Sequence, residues 1–201
     1  DLGWMKAQRD VDRATRLAEA MKLARMLGAL NALPKPLIGR VNGPAYGGGI
    51  GMMSVCDVAV GVAGARFGLT EVRLGLIPAT ISPYVVARMG EARARRVFFS
   101  GRLFDAAEAR ELGLLAKVTA PGALDAAVEA EIAPYLSAAP EAVAASKALV
   151  QALGPQVTEA VMADTARRLA DVWETASAAE GIAAFFEKRR PVWPDAARGP
   201  S

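Results

Sequence analysis

Three consecutive glycines, Gly47-Gly48-Gly49, separate a short apolar run from a segment that carries no charge between positions 50 and 56, and this juncture constrains the fold more than any other feature. Residues 37–41 follow Pro34 and Pro36, neither of which suits a central strand, so a strand is expected to begin after them. The glycines permit backbone conformations and close approaches that a Cβ would forbid. Residues 50–55 are apolar or small on every side and suit a helix buried all round. The first N–H groups of such a helix have no intrahelical partner, and its dipole adds partial positive charge there. That end can hold a developing oxyanion. A tight packing turn has the same pattern, and pattern alone does not separate the two. Glycines at 43, 47, 48, 49 and 51 do not form G-x-G-x-x-G, and no Gly-Lys-Ser/Thr follows, so the two common phosphate-binding loops are excluded.

A chain of 201 residues that is 53% hydrophobic can bury a substantial core in one domain with a small appendage. The absence of histidine removes Ser-His-Asp and Cys-His catalysis and every histidine-containing metal site. The single cysteine, Cys56, allows no disulfide framework, and its apolar neighbourhood favours a core residue over a nucleophile. A net charge of +3 with few, non-interleaved aromatics argues against nucleic acid as a partner. No run of 18 apolar residues and no secretory h-region is visible, so no membrane partner is expected and a cytoplasmic location fits.

Helical spacing of Val11, Ala14, Leu17, Met21, Ala24, Leu27 and Leu30 predicts a long amphipathic helix over 4–30. Residues 57–62 are expected to form a strand of the same sheet as 37–41, and 66–68 another extended piece. Ser82-Pro83 reads as a cap with proline at the first helical position, and Asp105 with Glu108 as a capping box. A last strand is expected over 114–118. From 124 onward the pattern is helical, with breaks at Pro134, Pro140, Gly154-Pro155 and around 177–181. The composition shift near Pro121 divides the chain into a core over 1–120, a helical region over 121–193 and a tail over 194–201. Glu71, a lone acid among apolar residues, is open to two readings at this stage: a surface carboxylate paired with Arg73, or a functional group.

A set of ordered motifs then carries a family likeness. Pro36-Leu-Ile-Gly-Arg-Val-Asn-Gly-Pro-Ala-Tyr-Gly-Gly-Gly49, Cys56-Asp57, Phe67-Gly-Leu-Thr-Glu71, Leu74-Gly-Leu-Ile-Pro78, Ser100-Gly-Arg102 and Glu180-Gly181 with Phe185-Phe-Glu-Lys188 stand in the expected order and spacing. Together they resemble the enoyl-CoA hydratase/isomerase, or crotonase, superfamily, and the likeness covers nearly the whole chain. It implies an α/β fold, a spiral of β-β-α turns followed by a C-terminal helical oligomerisation region. It also implies a homo-oligomer, a trimer or hexamer, that acts on an acyl-CoA thioester. Asp1-Leu2 resembles the end of the family's Ala-Gly-Ala-Asp-Leu segment, so an N-terminal part of the fold and one oxyanion donor are expected upstream, with Leu2 at the CoA pocket.

By the same likeness, Gly48 supplies an oxyanion N–H to the thioester carbonyl and Glu71 is the catalytic carboxylate. Phe185 and Lys188 match positions that reach the CoA adenine and phosphates. No metal or redox cofactor is implied, since the CoA belongs to the substrate. Two departures stand out. Gly51 occupies the place where two-glutamate hydratases carry their other acid. Pro78-Ala-Thr-Ile-Ser-Pro83 replaces the usual Gly-Gly-Thr-Gln turn and resembles the methylglutaconyl-CoA hydratase type. The resemblance therefore implies a single-glutamate hydratase of an enoyl-CoA, with a Δ3,Δ2-enoyl-CoA isomerase or a non-catalytic acyl-CoA-binding relative as alternatives.

Overall fold

The computed structural model describes residues 3, 7, 8 and 11–194. Helix α1, Arg13–Asn31, begins where the Asp12 carboxylate accepts the Thr15 N–H at 2.7 Å. Asp12 itself is extended, so the regular helix starts later than the periodicity predicts. Its buried stripe is Ala20, Ala24 and Leu27, spaced to face one side.

The chain then makes β1 (Ile38–Val41), β2 (Ala45–Tyr46) and α2 (Gly48–Val55), and next β3 (Val58–Val62), β4 (Arg66–Gly68) and a 3-10 turn (Glu71–Leu74). Helices α3 (Ser82–Met89) and α4 (Glu91–Phe98) follow, then β5 (Leu103–Asp105), α5 (Ala106–Glu111) and β6 (Lys117–Thr119). The strands form two sheets of three, β1-β3-β6 and β2-β4-β5, and β1 to β4 alternate between them. The first two circuits each lay one strand in each sheet before the chain turns helical, which is the expected β-β-α spiral; in the last, α5 stands between β5 and β6. Pairing is parallel throughout the first sheet, with Ile38 opposite Val58 and Val60 opposite Lys117. In the second, β2 runs parallel to β4 and β5 antiparallel to it.

The core lies between the sheets and the helices that cover them. Leu27, Ile50, Val60, Phe67, Val85 and Phe104 are among its fully or almost fully buried members. Full burial of one such side chain contributes roughly 1.5–3 kcal/mol. Phe67 and Phe104 stack across the β4–β5 pair with ring centres 6.0 Å apart. Helix α2 is buried at Ile50, Gly51, Met53, Ser54 and Val55, but Met52 is exposed, so it is not buried all round as expected.

Helices α6 (Leu124–Leu136), α7 (Pro140–Leu153), α8 (Glu159–Trp173) and α9 (Ala176–Phe186) make up the C-terminal part. Among the described residues no helix is long and apolar enough to cross a membrane. Several local expectations shift. The last strand is Lys117–Thr119 rather than 114–118, because the Leu114 and Leu115 amides bond back to Ala109 at the end of α5. Ser82 is the first residue of α3 and not its cap; its hydroxyl donates to the Pro78 carbonyl at 2.5 Å. Pro134 sits inside α6, two residues from its end, where the missing N–H costs only a terminal bond. The short strands β2 and β5 are too brief to leave a period-2 signal.

The predicted break around 177–181 is absent, and Gly181 has a different reason to be glycine. Helix α9 crosses the 3-10 turn so closely that a Cβ on Gly181 would lie 2.5 Å from the Leu74 carbonyl oxygen and 3.0 Å from the Gly75 nitrogen. Gly75 answers from the other side: its φ is +69°, and a Cβ there would run into the Ser177 backbone. A small second core of Leu76, Trp173, Ala178 and Ile182 surrounds the crossing. Elsewhere a helical Gly→Ala change gains up to about 1 kcal/mol. Here Gly181→Ala is expected to destabilise the fold by roughly 2–4 kcal/mol, lowering Tm by about 5–10 °C, because backbone cannot yield as a side chain can. Gly122, whose added Cβ would meet nothing within 4 Å, provides the control, and its alanine variant should melt with the parent in the same calorimetric scan.

Candidate active site

The pairing of β2 with β4 decides where the helix start points. The ladder that sets Tyr46 opposite Gly68 is extended by the Gly47 N–H, which donates to the Gly68 carbonyl at 3.1 Å. The chain leaving β2 therefore enters α2 beside the chain leaving β4, and three residues beyond Gly68 comes Glu71. Gly47 has φ +47° and ψ −113°, a conformation that suits glycine, and a Cβ on it would lie 2.7 Å from Glu71 Oε1. The glycine turn and the lone acid of the sequence are thus in contact.

Gly48 opens α2. The Ile50 and Gly51 amides already bond to the Gly47 carbonyl at 2.9 and 3.2 Å, while the Gly48 and Gly49 amides meet no acceptor among the described residues. A Cβ on Gly48 would meet nothing within 4 Å, so the space outside it is open. An N–H at a helix start that meets no acceptor among the described residues, next in sequence to the glycine beside Glu71, can bind an oxyanion while the acid moves a proton.

Glu71 begins the 3-10 turn. Its Oε2 is fully buried without a hydrogen-bond partner, and no ion pair with Arg73 forms, which corrects the surface-pair reading. Burial pushes the carboxyl above its ordinary value of 4.5, and the opposing pull of its own backbone N–H is smaller. The turn is held from outside by α9 at Gly75 and Gly181, and the Leu76 amide bonds back to the Glu71 carbonyl at 3.0 Å.

Gly51 lies one turn along α2 from Gly47, on the same face. A Cβ there would be 2.5 Å from Ile81 Cγ2 and 3.0 Å from Ile81 Cβ, with Leu27 Cδ1 at 3.5 Å. A side chain at 51, where the likeness expects a second acid, would meet an isoleucine. Sequence reasoning missed Ile81, and also missed the contact of Gly47 with the acid. Ile81 stood inside the departing segment 78–83, so that segment was the available signal.

Other motif residues have structural tasks. Asp57 accepts the Leu37 N–H at 2.7 Å and pairs with Lys147 at 2.8 Å, pinning the entry to β1. The Cys56 thiol donates to the Met52 carbonyl, and burial pushes its pKa up, as suits a core residue rather than a nucleophile. A cavity of about 870 Å³ at the far end of α2, lined by Ser54, Tyr84, Arg88 and Lys147 among others, includes neither Glu71 nor Gly48.

Phe185 is half exposed on the last turn of α9, edge-on to Phe186 at 5.4 Å, and Lys188 follows with φ +55°. Phe185 is on the helix that braces the 3-10 turn and Lys188 lies just past its end, but among the described residues no hydrogen bond or ion pair joins them to Glu71 or Gly48. Leu2 lies outside the described residues.

A two-sheet β-β-α spiral with a glycine-led helix start against a buried carboxylate defines a protein of the crotonase class. The family model for enoyl-CoA hydratase/isomerase matches residues 5–196. The chain belongs to the enoyl-CoA hydratase/isomerase family. A Thermus thermophilus relative with a provisional enoyl-CoA hydratase name is 34% identical over 191 residues, 95% of this chain and 76% of that protein. An enoyl-CoA hydratase of Alternaria alternata is 38% identical over 132 residues, covering 65% of this chain but only 44% of its own length. Among solved structures, an enoyl-CoA hydratase from Shewanella pealeana superposes with TM-score 0.74 at 41% identity, covering 96% of this chain and 72% of the other. One from Mycobacterium avium gives 0.79 at 30% identity, covering 90% and 72%.

Glu71, half-buried with its Oε2 fully enclosed, makes a stability prediction with a definite sign. Well below pH 4.5 the carboxyl is protonated in both folded and unfolded chains and nothing is lost. As pH rises from there through the raised folded value, the unfolded chain ionises first, so the parent loses stability and then levels off. Glu71→Gln removes this term. Its Tm is expected to exceed the parent's by a few degrees near neutral pH, roughly 2–4 °C per kcal/mol, with the gap closing toward pH 4. Calorimetry across that range reads it, and a gap that is constant with pH would contradict the burial of this carboxyl.

Proposed function

We propose that this chain is an enoyl-CoA hydratase, a hydro-lyase that adds water across the 2,3 double bond of an enoyl-CoA thioester through a single glutamate. The observation that carries the proposal is the closeness of Glu71 Oε1 to Gly47, where a Cβ would lie 2.7 Å from it, beside a Gly48 N–H that meets no acceptor among the described residues. The names carried by its relatives support the same reaction class.

In this mechanism the Gly48 N–H holds the thioester oxygen and stabilises the negative charge that gathers there in the enolate-like transition state. Glu71 takes a proton from water as the water oxygen bonds to C3. The π electrons move toward the thioester oxygen, and the same carboxyl then returns a proton to C2. A raised pKa favours both steps, since the group must accept and release a proton near neutral pH. Loss of one oxyanion donor of this kind lowers the rate by roughly a hundredfold to a thousandfold. The CoA part is assigned to Leu2, Phe185 and Lys188. The segment 78–83 favours a branched or glutaconyl-type acyl group, and the assembly is a trimer or hexamer. The reaction needs no metal or redox cofactor.

One observation favours a second reading. Position 51 has no room for an acid, and moving a double bond from position 3 to position 2 needs only one carboxylate to take a proton from C2 and return it at C4. A Δ3,Δ2-enoyl-CoA isomerase would use Gly48 and Glu71 in the same roles. Mass spectrometry separates the two, because hydration adds one water and isomerisation adds nothing. The expected result is a hydrated product from crotonyl-CoA or 3-methylglutaconyl-CoA, with Glu71→Gln lowering kcat by about a hundredfold to ten-thousandfold. Undiminished hydration by Glu71→Gln would remove the glutamate from the mechanism.

A further inference from the structure

Positions 51 and 81 are far apart in sequence, and each breaks the family pattern. In the fold they are in contact. Gly51 shares a face of α2 with Gly47, and a side chain at 51 would tilt toward the helix start, where Glu71 lies. The volume that side chain needs is occupied by Ile81. Ile81 is 3% exposed, is branched at Cβ and so stiff at χ1, and sits with its own Cβ 3.0 Å from the position a Cβ on Gly51 would take. Its backbone is fixed as well, because the Ile81 carbonyl accepts the Tyr84 and Val85 amides that start α3, at 3.1 and 3.0 Å.

We propose that Ile81 is the residue that holds this site to one carboxylate. By filling the space beside Gly51, it makes the missing acid a packed arrangement of two residues rather than a gap at one. The proposal rests on Glu71 being the acid of the site. It assigns Ile81 a positioning role: an apolar wall stands where a second carboxylate would otherwise share the site. An acid at 51 alone cannot be accommodated, and the site becomes a two-acid site only when 51 and 81 change together.

The test is a double-mutant cycle in the full chain, read first by Tm. Gly51→Ala is expected to lower Tm by roughly 4–8 °C, against the small gain alanine brings in an unhindered helix. Ile81→Ala lowers Tm by leaving a cavity. In the Ile81→Ala background, Gly51→Ala should cost nothing or restore part of the loss. Equal cost of Gly51→Ala in both backgrounds would overturn the proposal. The second reading is Tm against pH. Gly51→Glu with Ile81→Ala should lose more stability than the parent between about pH 4 and pH 8, because two carboxyls then share the site. Gly51→Glu alone should lose folded protein at every pH. A Gly51→Glu single variant as stable as the parent would sink the idea. Enoyl-CoA turnover is measured in parallel. A parent that hydrates nothing removes the hydratase reading but leaves the Tm cycle to decide the role of Ile81.

Discussion

The parallel pairing of β2 with β4 is the interaction on which the rest of the site depends. It is only two residues long, Ala45 opposite Phe67 and Tyr46 opposite Gly68, and is closed by the Gly47 N–H on the Gly68 carbonyl. Two strands running the same way deliver their carboxyl ends to the same edge, which is where open α/β folds gather their chemistry. Helix α2 leaves from one end and the 3-10 turn from the other. Among the described residues no hydrogen bond joins the helix to the turn, so the ladder supplies the alignment. The stack of Phe67 on Phe104 and the complete burial of Phe67 hold β4 in register, and thereby hold the turn that follows it.

This alignment has an energetic consequence. It brings Glu71 into a space where one oxygen is buried without a partner, which opposes folding whenever the group is ionised. The fold offsets this by bracing the turn from behind. Helix α9 lies on the Leu74–Gly75 backbone through two glycines, and Leu76, Trp173, Ala178 and Ile182 close around the contact. A more polar setting would relieve the strain on stability, but it would also return the carboxyl toward its ordinary range and weaken it as a base near neutral pH. The local instability and the chemistry have the same cause.

Much of the architecture was legible because it depends on local chemistry. The Asp105 and Glu108 capping box predicted the start of α5, and the Asp105 carboxylate does accept the Glu108 N–H at 2.8 Å. Apolar run length located β1 and β3, and the glycine triplet located the start of α2. What failed were signals whose meaning depends on tertiary context. Pro134 reads as a breaker but falls in a last turn that tolerates it. The strands β2 and β5 exist by pairing rather than by propensity. The neighbourhood of Glu71 could not be read from spacing, because the route from Gly47 to Glu71 runs across the ladder and not along the chain. Only the family likeness pointed to that carboxylate in advance, and the contact with Gly47 gives the choice a geometric basis.

The glycines show most clearly why a residue type underdetermines its role. Gly47 is required by its positive φ and by the oxygen of Glu71 beside it. Gly181 has ordinary helical geometry and is required by the backbone of another segment. Gly51 also has helical geometry, but its neighbour is the side chain of Ile81, and side chains change together more readily than backbones move. All three look alike in the sequence, as glycines near apolar residues. Gly47 is needed by the turn and Gly181 by the packing of two segments, while Gly51 is glycine because of one neighbouring residue. The obstacle to a side chain at 51 therefore lies in the segment 78–83 and not in the backbone of α2. Positions 51 and 81 are then one packing problem, since a Cβ on Gly51 would lie 2.5 Å from Ile81 Cγ2.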